Sequence, residues 1–373
     1  MPPELIFHLD RIEQNARQVV QTCRQAGVSV CGVTKVTGGF PPVAAAMIRG
    51  GVQGIADARL INLARLRRGV ALAIPLLLLR SSTPAEAEET VKWADISIQS
   101  SLDTLVALSG AALQRGRKHK VLLAVENGDL REGVMPEGVS ALAKAVETLP
   151  GLRLEGLSTN YACLSGVLPT AENGRMFVEI ARQVEITIGR KLDTLSGGAT
   201  VSLSLVEQNT LPTEINQFRV GEAILCGTDT SGHRNVPGTR QDTVELHASV
   251  IEVENKPSVP FGLLGRNAFG QDMLPQADHF IDRGLRPRAI LALGRIDIEL
   301  DDLFPLEAGI EIVGASSDHL VVDLGGAKRS IRVGDRLEFA AGYHSILRAS
   351  VSPYVQKQFR PKDYLSSQAP TIT

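Results

Sequence analysis

The first two thirds of the chain alternate between short apolar runs and longer stretches in which apolar residues recur at helical spacing. Residues 28–36 form one of the apolar runs, which is typical of a buried strand. In residues 102–115, Leu102, Leu105, Val106, Ser109 and Leu113 fall on one face of a predicted helix. Alternation of this kind predicts parallel strands that are joined by helices.

Eight segments have the character of buried strands: 28–36, 54–57, 71–79, 95–99, 120–126, 154–158, 192–196 and 215–225. Helices are predicted at 10–26, 42–50, 58–68, 84–93, 102–115, 139–149, 172–189 and 202–209. Eight such units predict an α/β fold with a closed (β/α)8 barrel, the TIM barrel. The alternative is an open doubly wound sheet, but it needs a GxGxxG loop after the first strand, and residues 32–35 do not supply one.

The pattern changes near residues 232–238, beyond which helical periodicity fades and prolines and glycines become frequent. Short strands are predicted there at 244–252, 289–293, 310–313, 319–324 and 336–341. We therefore predict two domains, a barrel over residues 1–238 and a C-terminal β-rich domain over residues 239–373.

Composition and charge narrow the possible functions. Of 373 residues, 43% are hydrophobic and 21% charged, and a net charge of −2 without long runs of one sign argues against nucleic-acid binding. The longest apolar run, 70–79, is too short for a bilayer and contains Pro75, and no leader peptide precedes residue 10. Four scattered cysteines indicate neither zinc nor disulfides, so we expect a cytoplasmic protein without a membrane partner and without a metal site.

Several candidate catalytic or binding residues lie towards the carboxyl ends of predicted strands. The active site of a barrel forms at that end of its strands. Lys35 ends an apolar strand, and partial desolvation there suits a lysine that forms a Schiff base, although such a lysine can also extend to solvent. Ser196, Gly197 and Gly198 lie between a strand and a helix, where small residues let N–H groups approach an anion; a tight turn is the alternative. Arg219 and Gly221 close the last barrel unit, where arginine offers a fork of hydrogen-bond donors and glycine leaves room for a ligand.

Together these residues resemble the fold-type III pyridoxal-phosphate (PLP) enzymes, the family of alanine racemase. The similar segments are residues 8–15, 33–35, 127–133, 196–198, 219–221, 314–319 and 333–335. The resemblance implies PLP on Lys35, Arg131 at its phenolic oxygen, Arg219 at its pyridine nitrogen, and its phosphate at Ser196, Gly197, Gly198 and Gly221. The cofactor-binding set that we predict also includes Asn160, Glu222 and Tyr354.

A subgroup that includes ornithine racemase is more similar still, in residues 32–36, 55–59, 94–98, 128–133 and 316–319. This resemblance implies racemisation of a free amino acid, in which Lys35 moves a proton on one face of the α-carbon. It also implies a homodimer in which the second domain completes the active site of its partner. Arginine only donates hydrogen bonds, so Arg219 would keep the ring nitrogen unprotonated and disfavour decarboxylation and transamination.

Two positions depart from the family pattern. The family tyrosine that serves as the second proton donor is matched by Arg295, and arginine is too basic to act as a base. Candidates for the second proton donor are Asp297, Asp318, His319 and Cys163. The predicted catalytic set consists of Lys35, Arg295 at the position of the tyrosine, Asp297, Asp318 and His319. The family histidine that stacks on the cofactor ring is replaced by Asn160 or Tyr161, unless Asn160 only caps its loop.

Substrate choice is the least determined feature of the sequence. A substrate with a distal ammonium needs a carboxylate, and the acidic group Asp297, Glu299, Asp301 and Asp302 is either that partner or a solvated loop. Adjacent Asp318 and His319 also resemble a metal pair, but they lack a third ligand nearby. The alternatives to a racemase are a PLP-dependent lyase, of the D-threonine aldolase or D-serine dehydratase type, and a cofactor carrier without activity.

Overall fold

The computed structural model describes residues 1–69, 74–273 and 281–361. The chain forms two compact units, one built on His8–Thr243 and one that combines Met1–Phe7 with Val244–Phe359. The first strand, β1 (Glu4–His8), was not predicted from the sequence. Residues 71–73 of the third predicted barrel strand lie outside the described residues.

Eight parallel strands close into a barrel in chain order, which confirms the predicted TIM barrel. They are β2 (Ser29–Val33), β3 (Gly54–Asp57), β4 (Leu76–Leu78), β5 (Ile96–Gln99), β6 (His119–Ala124), β7 (Leu152–Ser158), β8 (Thr194–Ser196) and β9 (Gln217–Val220). The last strand is shorter than predicted, because Glu222–Leu225 forms a helical turn instead of continuing β9.

The helices of the barrel unit lie near their predicted positions. Within the described residues they are α1 (Leu9–Gln25), α2 (Pro41–Arg49), α3 (Leu60–Gly69), α4 (Ala87–Trp93), α5 (Leu102–Gln114), α6 (Pro136–Glu147), α7 (Ala171–Ile188), α8 (Leu203–Glu207) and α9 (Glu222–Leu225). The face predicted for α5 is partly wrong: Leu105 and Ser109 are buried, but Leu102, Val106 and Leu113 are exposed. Leu108 and the small residues Ala111 and Ala112 complete the buried face.

Apolar side chains fill the inside of the barrel. Cys31, Val33, Ala56, Leu77, Ile98, Leu122 and Ala124 form one buried cluster. Burial raises the pKa of the Cys31 thiol to about 11, so this cysteine stays neutral and packs as a small hydrophobe. A packed interior leaves the loops at the carboxyl ends of the strands as the place for a ligand.

The second unit is a β-rich body, as predicted, built on a mainly antiparallel sheet. A short hairpin of the barrel unit, β10 (Thr228–Asp229) and β11 (Arg234–Asn235), precedes it in the chain. The strands of the second unit are β1, β12 (Val244–Pro257), β13 (Leu285–Leu291), β14 (Leu303–Pro305), β15 (Glu311–Ala315), β16 (Leu320–Asp323), β17 (Arg336–Ala341) and β18 (Gln356–Arg360). One helix, α10 (Tyr343–Val351), was not predicted.

Among the helices of residues 1–69, 74–273 and 281–361, none is both long enough and apolar enough to cross a bilayer.

Candidate active site

Lys35 lies at the carboxyl end of the barrel, two residues beyond the end of β2. It begins a single 3-10 turn, Lys35–Thr37, rather than ending the strand itself. The Thr37 hydroxyl donates to the Thr34 carbonyl oxygen at 2.9 Å, and Gly38 closes the turn with a φ of 61°. The backbone that carries Lys35 is therefore fixed on both sides of the residue.

A buried carboxylate on the neighbouring strand holds this turn in place. Asp57 ends β3, and its Oδ2 accepts from the Thr34 hydroxyl at 2.9 Å. Its Oδ1 accepts from the Arg59 N–H and from Asn62 Nδ2, both at 3.0 Å. Burial raises the pKa of Asp57, although these hydrogen bonds oppose the shift. Asp57 thus connects β2, β3 and the start of α3 immediately beside Lys35.

Arg219 and Ser196 form the second part of the site, on adjacent strands. Arg219 Nη1 donates to the carbonyl oxygen and the hydroxyl of Ser196, and Nη2 donates to the Thr159 carbonyl oxygen at 2.6 Å. Arg219 is only 6% exposed, and none of these acceptors is a carboxylate. Burial lowers its pKa to about 10, so the guanidinium remains charged at neutral pH. Among the residues that the structure describes, this buried cation therefore has no bonded carboxylate.

The glycines after β8 form a tight bend against this arginine. The Arg219 N–H donates to the Gly198 carbonyl oxygen at 3.0 Å. A Cβ on Gly198, whose φ is 140°, would lie 1.9 Å from Ser202 Oγ, and one on Gly197 would lie 2.4 Å from Ile215 Cγ2. Only a 3-10 turn and the five-residue α8 follow, so the expected contribution of a helix dipole is small.

Gly221 brings the last strand beside the same bend. The N–H of Ala223, two residues later, donates to the Thr200 hydroxyl at 3.2 Å. A Cβ on Gly221 would lie 3.1 Å from the Val33 Cβ, so glycine lets this backbone pass close to β2. Glu222 points elsewhere, since its Oε1 accepts from the hydroxyls of Thr228 and Thr230 at 2.8 and 2.6 Å.

Arg131 lies in the loop after β6, which a buried glutamate organises. The N–H groups of Gly128 and Leu130 donate to Glu126 Oε1 at 2.7 and 2.9 Å, and that of Arg131 donates to Oε2 at 3.2 Å. The Arg131 guanidinium forms a two-pronged ion pair with Glu132. Burial lowers the pKa of Arg131, but this ion pair outweighs it and leaves the pKa raised.

Asp129 ties this loop to the one that follows β7. Its Oδ1 accepts from the N–H groups of Cys163, Leu164 and Ser165 at 3.2, 3.2 and 3.1 Å. The Ser165 hydroxyl returns a bond to the Asp129 carbonyl oxygen at 2.7 Å. Cys163 is exposed, and a charge on it would raise the pKa of both Arg131 and Arg219. The two loops therefore meet near both arginines.

Asn160 and Tyr161 follow β7 and occupy different environments. Tyr161 is buried, its hydroxyl accepts from Asn127 Nδ2 at 2.8 Å, and its ring would lie 3.6 Å from a Cβ on Gly198. Burial raises its pKa to about 12, so the phenol stays protonated. Asn160 Nδ2 donates to the Tyr161 carbonyl oxygen at 3.3 Å, a contact within its own loop.

Arg295 is half-buried in the second unit and stacks on an aromatic ring. Its guanidinium carbon lies 4.7 Å from the centroid of Phe269, and its Nε is buried without an acceptor. Asp297 is buried, and its Oδ1 accepts from the Ser352 hydroxyl at 2.6 Å. Tyr354 is exposed, and its N–H donates to the same hydroxyl at 3.2 Å.

Asp318 and His319 lie together on an exposed turn of the second unit. Asp318 Oδ2 accepts from the Ser317 hydroxyl at 2.6 Å, and the His319 N–H donates to Ser316 Oγ at 3.2 Å. In the described part of the chain, the side chains spaced as a metal would need are Glu245, His247 and Glu338. Neither Asp318 nor His319 belongs to that group.

The structure thus groups Lys35, Arg131, Asn160, Ser196 and Arg219, with the neighbouring glycines, at one end of the barrel. The second unit contains the other predicted site residues, and the contacts given above for them lie within that unit: Arg295, Asp297, Asp318, His319 and Tyr354. The supporting carboxylates Asp57, Glu126 and Asp129 were not predicted from the sequence as site residues. A carboxylate at the end of an apolar strand was the available signal, as in Asp57 after Ile55 and Ala56.

Comparison with known proteins identifies the family of the chain. Residues 7–229 match the family described as alanine racemase, N-terminal domain. The chain is 36% identical over 362 residues to a lysine racemase of Thermotoga maritima, covering 96% of this chain and 99% of the relative. It is 33% identical over 359 residues to an ornithine racemase of Acetoanaerobium sticklandii, with the same two coverages.

Solved structures share the fold at low sequence identity. An alanine racemase of Clostridium difficile superposes with a TM-score of 0.76 at 18% identity, covering 98% of each chain. A D-threonine aldolase of Filomicrobium marinum superposes with a TM-score of 0.68 at 17% identity, covering 93% of this chain and 88% of the other. At such identities the likeness concerns the fold alone.

Proposed function

The chain belongs to the alanine racemase family, and from that premise we propose that it is a PLP-dependent racemase of a free amino acid with a basic side chain. The observation that carries the proposal is the buried cation Arg219, which bonds to the ends of β7 and β8 on the face that also bears Lys35. The names of two relatives, a lysine racemase and an ornithine racemase, support a basic substrate.

The residues at the barrel end fit PLP. Arg219 uses three of its five N–H donors on Ser196 and Thr159, and no carboxylate bonds to it within the described residues. The bend at Gly197 and Gly198 leaves no room for a Cβ, so its backbone can approach an anion such as the cofactor phosphate. In this proposal the phosphate binds at Ser196, Gly197, Gly198 and Gly221, whereas Asn160, Glu222 and Tyr354 are assigned to the cofactor by the resemblance alone.

Lys35 holds the cofactor and moves the proton in this proposal. When bound, PLP withdraws electrons from the α-carbon and makes its proton acidic. The Lys35 amine takes that proton on one face, because the turn fixed by Thr34 and Asp57 sets its position. A lysine is suited to both tasks, since its amine is a nucleophile and a base when it is neutral.

The two arginines orient the cofactor and limit its reactivity. Arg219 only donates, so a ring nitrogen that faces it must accept and stay unprotonated. By keeping the ring nitrogen unprotonated, Arg219 would favour return of the proton over loss of a carboxyl or amino group. Arg131, held by Glu126 and Glu132, donates to the phenolic oxygen in this proposal.

Racemisation requires a second proton-transfer group on the opposite face of the α-carbon. Arginine side chains are too basic to serve as the base, so Arg295 is not proposed for this role. Asp297, Asp318 and His319 of the second unit and Cys163 of the barrel are the candidates. The second-unit candidates imply a homodimer with a shared active site, and we propose this assembly together with a cytoplasmic location.

The test is isotope exchange in deuterated water. The PLP-loaded protein is incubated with L-lysine or L-ornithine, and the products are separated by chiral chromatography and weighed by mass spectrometry. We expect the D-enantiomer to appear and α-deuterium to enter both enantiomers. Lys35→Ala should abolish exchange and the visible absorbance of the bound cofactor, whereas Lys144→Ala, at an exposed position of α6, should change neither.

Other outcomes would contradict the proposal. Release of an aldehyde or a keto acid identifies a lyase, and loss of that release on chelation identifies a metal-dependent one. No exchange with any free amino acid would overturn the racemase assignment.

A further inference from the structure

A substrate with a distal ammonium needs a carboxylate that is close to the site and can still accept a hydrogen bond. The acidic residues that the sequence offered for this, in the second unit, are mostly engaged. Asp297 accepts from Ser352, and Glu299 pairs with Arg348 at 2.8 Å. Asp302 accepts from the His344 N–H at 2.6 Å, which caps the first turn of α10. The carboxylates in the loops of the barrel unit are therefore the alternative partners for a distal ammonium.

The loop after β6 carries more negative than positive charge. Between Glu126 and Glu132 it contains three carboxylates, at Glu126, Asp129 and Glu132, and one cation, Arg131. This loop follows a barrel strand, so it lies at the same end as Lys35 and Arg219. The surplus of negative charge in this loop favours a cationic side chain over a neutral one beside it.

Two of these carboxylates are committed to the backbone. Glu126 accepts three N–H groups of its own loop, and Asp129 Oδ1 accepts three N–H groups of the loop after β7. Asp129 is only 3% exposed, and its Oδ2 has no hydrogen-bond partner. That buried oxygen adds negative potential to the site, although it is covered by protein.

Glu132 is the carboxylate that remains accessible. Its side chain is 35% exposed, and its hydrogen bonds go to the Arg131 guanidinium. Burial lowers the pKa of Arg219, and the charge of Glu132 is one of the causes that oppose this shift, although β9 and the loop after β6 come from different parts of the barrel. Glu132 therefore lies within electrostatic reach of both arginines.

We propose that Glu132 is the specificity-determining residue that accepts the distal ammonium of a basic amino-acid substrate. A carboxylate offers about four acceptor positions, of which the pair with Arg131 uses two, so an ammonium can bind without displacing Arg131. The loop needs no rearrangement, because Glu126 and Asp129 already fix its backbone. The inference rests on the proposed function, since it assumes that a free amino acid binds at this end of the barrel.

The experiment compares two substrates that differ only in the ammonium. L-lysine and L-norleucine share the same hydrocarbon chain, so the ratio of their kcat/KM values isolates recognition of the charge. This ratio is measured for the PLP-loaded wild type, for Glu132→Gln, and for Glu137→Gln as a control. Glu137 is an exposed acid in the first turn of α6, where the same loss of charge should leave the ratio unchanged.

We expect the lysine-to-norleucine ratio to fall at least about tenfold in Glu132→Gln, the effect of losing one charged hydrogen bond. Calorimetric binding of L-lysine and L-norleucine should show the same loss of preference, which gives a result even if Glu132→Gln turns over slowly. A ratio that stays within about twofold of wild type in both measurements would overturn the role of Glu132 and leave the racemase intact. Absence of racemisation by the wild type would instead overturn the proposed function itself.

Discussion

The Thr34 hydroxyl donates to Asp57 Oδ2 at 2.9 Å, and both residues are fully buried at the barrel end. This bond joins β2 to β3 one residue before Lys35, beside the backbone bond that the Thr34 N–H donates to the Ala56 carbonyl oxygen at 3.0 Å. A residue that carries a cofactor must be held more precisely than a loop allows. In the proposed function, the Thr34–Asp57 bond would add to that restraint on Lys35.

Thr34→Val removes the hydroxyl while keeping the shape of the side chain. Because Asp57 Oδ2 then loses its donor in a buried place, we expect the free energy of unfolding to fall by about 1–3 kcal/mol. Cofactor affinity should fall as well, since the turn of Lys35 loses a restraint. Urea unfolding measures the first effect, and titration of the apoprotein with PLP measures the second.

Thr187→Val is the matched control for this substitution. Thr187 is exposed on α7, where its hydroxyl bonds to the Gln183 carbonyl oxygen of the same helix. A change within about 0.5 kcal/mol and unaltered PLP affinity are expected there. Equal effects of the two substitutions would show that the Thr34–Asp57 bond has no special role.

The bend at Gly198 should tolerate no larger residue. Gly198→Ala would place a Cβ 1.9 Å from Ser202 Oγ at a φ of 140°, so the backbone after β8 must shift. We expect PLP affinity to fall at least about tenfold, because misplacing the phosphate cradle weakens every hydrogen bond to it. Equilibrium dialysis against PLP provides the measurement.

Gly110→Ala is the control, because a Cβ at Gly110 in α5 would meet no atom within 4 Å. That substitution should raise the free energy of unfolding by about 1 kcal/mol, since alanine favours a helix, and leave PLP affinity unchanged. If Gly198→Ala binds PLP as tightly as Gly110→Ala, the bend is not the phosphate cradle.

The barrel could be predicted because its strands and helices differ in local pattern. Buried parallel strands appear as short apolar runs, and all eight were found from that signal. Segments whose structure depends on distant partners could not be found. Strand β1 pairs with β12, with Leu5 opposite Leu246, and the cap of α10 comes from Asp302, about forty positions earlier.

The same distinction between local patterns and distant partners applies to the candidate site. Lys35, Ser196 and Arg219 could be predicted, because each is a residue type that is uncommon at or near the end of an apolar strand. Asp57 and Asp129 act through hydrogen bonds to other loops, and nothing in their local sequence specifies those partners. The face of α5 was only partly predicted, because its buried side includes the small residues Ala111 and Ala112, which give a weaker pattern than the exposed Leu102, Val106 and Leu113.

Asp129 should control the mobility of the loop that bears Cys163. Asp129→Ala removes the acceptor of the Cys163, Leu164 and Ser165 N–H groups, so we expect their hydrogen exchange to accelerate at least about tenfold. Asp129→Asn keeps an oxygen acceptor and should accelerate exchange less. Exchange measured by mass spectrometry on the PLP-loaded protein separates the two, and unchanged exchange in Asp129→Ala would exclude the role.

The stability of the fold should depend on pH through His119, which is buried at the start of β6. Its Nε2 lies 2.9 Å from the Ser97 hydroxyl, and its Nδ1 is buried without a partner. Burial lowers the pKa of His119 from 6.5 to about 4, so the ring is neutral in the folded protein at neutral pH. Between pH 4 and pH 6.5 the unfolded chain therefore binds a proton at His119 more readily than the folded protein does.

Acidification therefore favours unfolding. The contribution of neutral His119 is complete above pH 6.5 and is lost as the pH falls towards 4, by about 3 kcal/mol in total. Between pH 7 and pH 5 the wild type should lose about 2 kcal/mol more of its free energy of unfolding than His119→Gln, which cannot titrate. Urea unfolding at both pH values measures the difference. His233→Asn, at an exposed position, should keep the wild-type slope, and a wild-type slope in His119→Gln would show that another group titrates instead.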